Sequence, residues 1–144
     1  MYKFSAVIVL GILLCAPAMS RADDQDAIDY RTHVMKTMGE QMGAIGMILG
    51  QKAPPDNFAL HLKVLAVTAT QAKRAFQDKV PGGNAKPEVW SEWADFSKRL
   101  DELVATTADL AAAANTEDVA TVGRKLQAGL KCKGCHDTYR VPPK

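Results

Sequence analysis

Apolar positions recur at alternating spacings of three and four along most of the chain, and stretches rich in glycine and proline divide the pattern into four segments. In the first, Ile28, Arg31, Met35, Met38, Met42, Ile45 and Leu49 form a heptad-like seam on one side of a helix. GQKAPPD (50–56) ends it, and Asp56 is placed to cap a second helix with the seam Phe58, Leu62, Leu65, Ala69, Ala72 and Phe76. VPGGNAKP (80–87) interrupts the pattern again. Pro87 suits the first turn of a third helix, where its missing N–H is not needed. That helix carries Val89, Trp93, Phe96, Leu100, Leu103, Thr107, Leu110 and Ala114. Asn115 or Thr116 is expected to end it and to cap a fourth helix, whose seam Val119, Val122, Leu126 and Leu130 leads into two cysteines. No run alternates with the period of two that a strand requires.

Four helices of roughly 20 to 28 residues with short connections predict an all-α fold, an antiparallel up-down-up-down four-helix bundle in one domain over 23–144. Gly39, Gly43, Gly46 and Gly50 each disfavour helix by about 1 kcal/mol relative to alanine. Close packing of a neighbour against that face, such as the second copy in a homodimer, would account for them; incidental small residues are the alternative.

The first residues read differently. Lys3 precedes an apolar stretch, AVIVLGILL (6–14), and APAMSRA follows with small residues suited to cleavage after Ala22. This is the layout of a secretory signal over 1–22, too short in its apolar part to span a bilayer. Cys15 raises a lipoprotein alternative, but the bulky Leu14 stands where such signals want a small residue. The expected location is the periplasm.

The chain holds 18 Lys and Arg against 16 Asp and Glu. Lys3 and Arg21 fall in the leader, so the remainder carries equal numbers of each sign. That is not the basic footprint of a nucleic-acid binder, and no long apolar segment remains to sit in a membrane. Of three cysteines only Cys132 and Cys135 lie beyond the leader. A disulfide three residues apart would close a tiny loop and stabilise little.

These two belong to KCKGCHDTYR (131–140), which contains Cys-x-x-Cys-His, the attachment sequence of c-type haem. On a helix, Cys132, Cys135 and His136 share one face. The thiols can form thioethers with the two vinyl groups of one haem c, and the imidazole can serve as proximal iron ligand. A thioredoxin-like pair would want a strand-helix context, and a structural zinc site would want four ligands. His33 and His61 lie far away in sequence and off the seams, which reads as solvated surface. Trp93 lies on its seam and reads as core.

The run CKGCHDTYR near the end of such a chain resembles the cytochrome c prime family, the class II cytochromes c, as do AIDYRTHVMKTMGEQMGAI (27–45) and AKPEVW (85–90). The resemblance implies a four-helix bundle enclosing one haem, export to the bacterial periplasm and, for many members, a homodimer. It also implies one of two chemistries. Members with an apolar distal residue keep a five-coordinate, high-spin iron that binds nitric oxide or carbon monoxide. Low-spin relatives place there a methionine, four residues after the arginine of a Tyr-Arg pair. Here that pair is Tyr30-Arg31 and the residue is Met35.

In an up-down-up-down bundle the first and last helices are antiparallel neighbours, which sets Met35 roughly level with His136 or somewhat deeper. Met38 lies about 4.5 Å further along the axis and Met42 about 10.5 Å. The expectation is therefore a periplasmic electron carrier, not an enzyme, with iron held by His136 and Met35; its redox partners would be other periplasmic proteins. Methionine is also a flexible core filler, so packing alone is the competing account of Met35. The gas-binding alternative would leave the sixth position to a diatomic ligand. A peroxidase-like enzyme is disfavoured, because His33 is expected to project away from the distal side. The resemblance further assigns Arg31 to a haem propionate, places Thr32 where the family often has glutamine at the haem edge, and sets Arg140 beside the proximal face.

Overall fold

The computed structural model describes residues 23–142; the signal sequence expected over 1–22 lies outside them. Asp23 starts the first helix, α1 (Asp24–Leu49), by accepting a hydrogen bond from the Asp26 amide on its carboxylate. Asp24 and Asp26 add negative charge where the helix dipole is positive. The helix ends at Gly50, and Gln51 adopts φ +57° while the Lys52 amide reaches back to the Met47 carbonyl. That closure satisfies the carbonyls of the last turn.

A 3-10 turn, Pro55–Asn57, leads into α2 (Phe58–Ala75). Asp56 therefore lies inside that turn and does not cap α2. Asn57 occupies the cap position without a side-chain hydrogen bond. The third segment is two helices, a single turn α3 (Glu88–Ser91) and α4 (Trp93–Ala113), separated by a bend at Glu92. Pro87 precedes α3 with a helical φ of −55°.

Neither Asn115 nor Thr116 caps the fourth segment. Asp118 does, accepting from the Thr121 amide at 2.9 Å. That segment is also divided, into α5 (Val119–Gly129) and α6 (Cys132–Tyr139). Leu130 between them is extended, at φ −78° and ψ 122°. The attachment motif thus sits on its own short helix and does not continue a longer one.

Each segment reverses the direction of the one before it, so the four-helix bundle expected from the spacing is present. Leu62, Ala69, Ala72 and Val122 are wholly buried at its centre, with Ile45, Leu65 and Val89 nearly so. Each larger side chain of this kind contributes about 1.5–3 kcal/mol of burial. Thr107 is equally buried, and its hydroxyl donates to the Leu103 carbonyl at 2.8 Å. Around Phe96, the rings of Phe76, Trp93 and Tyr139 lie with centroids 5.0–5.9 Å away. Trp93 is only partly buried, as is Trp90, whose indole N–H donates to the Phe76 carbonyl.

The buried stripe of α1 is turned slightly from the expected seam. Arg31, Val34, Met38, Ile45 and Ile48 are buried, whereas Ile28, Met35, Met42 and Leu49 lie on its shoulder. The physical reason is unequal packing, since α1 meets α2 far more extensively than it meets α5. The shoulder line is the side on which Leu49 reaches α5: a Cβ built on Gly123 would lie 2.6 Å from Leu49 Cδ2.

A Cβ built on Gly39, Gly43 or Gly46 would meet nothing within 4 Å, so no other described part of the chain packs there. Among the described residues, no helix is long and apolar enough to cross a membrane.

Candidate haem site

Cys132 is exposed and Cys135 half-buried, and both are free thiols. His136 follows on the same face of α6, half-buried, and among the described residues its ring has no hydrogen-bond partner. Burial lowers the imidazole's pKa, and the positive charge of Arg140 pushes the same way. Both favour the neutral ring, the form that ligates a metal. Burial also raises the Cys135 pKa, keeping it a thiol. Among the described residues no three His, Cys, Asp or Glu side chains converge on a point where a bare metal ion could sit. Two unpaired thiols and an unengaged neutral imidazole on one helical face fit a haem held at three separate atoms.

What backs this helix is a group the sequence reading passed over. Tyr139, one turn beyond Cys135, is 3% exposed. Its hydroxyl donates to Asp95 Oδ2 at 2.6 Å, with Glu92 Oε2 a second acceptor at 3.2 Å. Asp95 also accepts from Arg99 Nε at 2.7 Å, and the Arg99 guanidinium lies 5.4 Å from the Tyr139 ring centroid. Burial first, then the bond to Asp95, drive the phenol's pKa upward. The Tyr139 bond, followed by Arg99, lowers that of Asp95. The i, i+4 spacing of Asp95 and Arg99 is the one local part of this network; their meeting with Tyr139 is tertiary.

From Leu49 back to Met35 is fourteen residues, and from its contact Gly123 forward to His136 is thirteen. At 1.5 Å per residue the step along α1 spans about 20 Å, whereas the step from Gly123 to His136 crosses the extended Leu130 and is not one continuous helix. Met35 is partly buried, on the shoulder of the α1 stripe. Met38 lies in the core, 8% exposed.

The remaining expected residues are placed as follows. Arg31 is buried, but its partners are the carbonyls of Val80 and Gly82, at 2.6 and 2.7 Å. The Thr32 hydroxyl is spent on the Ile28 carbonyl within its own helix. Arg140 lies just past the end of α6 in an extended conformation, with an exposed side chain and its amide bonded to the His136 carbonyl. His33 is exposed as expected. His61 is not simply solvated: it is half-buried and bonded to Gln41 Oε1 at 2.8 Å.

A helical bundle with this motif on its last helix defines a c-type haem protein. Residues 26–140 match the family described as Cytochrome C'. Cytochrome c' of Alcaligenes xylosoxydans xylosoxydans is 31% identical over 126 residues, 83% of this chain and 96% of that one. Cytochrome c-556 of Agrobacterium fabrum is 32% identical over 143 residues, 95% of this chain and 93% of that one. A nitric oxide complex of a cytochrome c prime variant from Alcaligenes xylosoxidans superposes with a TM-score of 0.74 at 28% identity, covering 85% of this chain and all of the other. A carbon monoxide complex of another variant gives the same values. The chain belongs to the cytochrome c prime family, and its cofactor is haem c.

Proposed function

We propose that this protein is a haem c protein of the periplasm that binds a diatomic gas, nitric oxide or carbon monoxide, on the α1 side of its haem. The observation that carries this reading is the match over the whole bundle to cytochrome c prime chains solved with those gases bound. Those comparisons support gas binding better than the electron carrier expected from the sequence. In this reading Cys132 and Cys135 anchor the haem and His136 is the proximal ligand. The bundle core keeps water from the buried side, and Met35 crowds the distal side without ligating. Bound haem supplies an iron able to coordinate a gas or to exchange one electron.

One observation favours a second reading. Residue 35 is a thioether on the partly buried shoulder of α1, and a methionine from that helix can fill the sixth position. His136 and Met35 would then hold the iron in both oxidation states, and the protein would carry electrons between periplasmic partners. The deciding experiment is the absorption spectrum of the ferrous protein before and after carbon monoxide is added. A high-spin spectrum that shifts at once supports the first reading; a sharp low-spin band that resists the gas overturns it.

A further inference from the structure

Arg31 stands apart from the other residues of α1. Its guanidinium lies 5.2 Å from the Trp90 ring centroid and 5.7 Å from that of Phe76, and it donates to two carbonyls of the segment that follows α2. Burial lowers its pKa, yet a guanidinium stays charged, so the ring faces and carbonyl dipoles are what stabilise it there.

The segment it holds is tied on its far side to the end of α6. The Lys86 amide donates to the Tyr139 carbonyl and the Val141 amide to the Asn84 carbonyl, both at 2.9 Å. Lys86 Nζ reaches the Asp137 carbonyl at 3.0 Å. Gly82, at φ +133°, accepts from both Arg31 and the Ala85 amide, and a Cβ there would lie 2.7 Å from Ile28 Cδ1. Helices α1 and α6 make little direct contact, so residues 80–86 are the strap between them.

We propose that Arg31 is a positioning residue: through the 80–86 strap it fixes residues 139–141, and with them the seating of His136 and Arg140 beside the haem. This rests on the haem reading above.

The test uses the haem-loaded protein and the variants Arg31→Met and Arg31→Lys, with haem content checked by mass spectrometry. Lysine keeps the charge but lacks the fork that spans two carbonyls. In both variants the Lys86 and Val141 amides should exchange hydrogen about tenfold faster, as loss of a hydrogen bond implies. Amides in the middle of α2 and α4 should be unchanged, and the iron–histidine stretching band should shift. If Arg31→Met does not fold, Arg31→Lys alone decides. Unchanged exchange at Lys86 and Val141 overturns the proposal, as does acceleration spread evenly over the bundle. A shift confined to the pH dependence of the haem spectrum also overturns it, by assigning Arg31 to the propionate. Absence of added haem mass in the unmodified protein would instead sink the haem reading itself.

Discussion

Leu49 of α1 rests directly on Gly123 of α5, a contact in which any side chain at residue 123 would have to displace the end of Leu49. It fixes how far along the bundle α1 and α5 slide against each other.

Replacing Gly123 separates two opposing terms. Alanine gains about 1 kcal/mol of helix propensity, while the flexible end of Leu49 must shift, so Gly123→Ala should change stability by less than about 1 kcal/mol. Gly123→Leu overpacks the contact and should cost about 1–3 kcal/mol. Denaturant unfolding of both variants measures this. A leucine variant as stable as the parent would mean that α1 and α5 are further apart than described.

Met35→Leu distinguishes the two haem chemistries. With a gas-binding site, the parent and the variant should both be high-spin and take up carbon monoxide immediately. With a ligating thioether, the parent would be low-spin and the variant high-spin. Parallel ferrous spectra of the two proteins decide between them.

Tyr139→Phe removes the bond to Asp95 and should cost about 1–2 kcal/mol at neutral pH. The raised phenol pKa means that folding favours the protonated form. Its contribution is complete below about pH 10 and is lost as pH rises beyond that. For Asp95 the pKa is lowered, so its contribution is present above about pH 3.9 and fades as pH falls through the lower folded value. The phenylalanine variant should therefore show a flatter stability profile at both extremes, read from thermal unfolding against pH. Identical profiles for parent and variant would remove the network's role.

Covalent attachment is tested through the thiols. The haem mass should survive denaturation in the parent and in Cys132→Ser or Cys135→Ser, each of which retains one thioether. The double variant should release its haem on acid extraction. Mass spectrometry of the four proteins checks this, and haem retained by the double variant would refute thioether anchorage.

The sequence by itself determined the helical class, the number of segments and the attachment chemistry. All three are local: the spacing of Leu62, Leu65, Ala69 and Ala72 follows the helical period, and Cys132, Cys135 and His136 share a face through their spacing alone. The breaks at Glu92 and Leu130 left no comparable mark, because neither residue forbids a helix; packing imposed them. Arg31 was legible as a buried charge on the α1 seam, but its partners were not. They are backbone carbonyls about fifty positions away, and carbonyls carry no sequence signal. Tyr139 was hidden for the same reason, since its value lies in meeting Asp95 from another helix. Tertiary structure alone decided these pairings, because they depend on how helices rotate and slide against one another, as Leu49 does on Gly123.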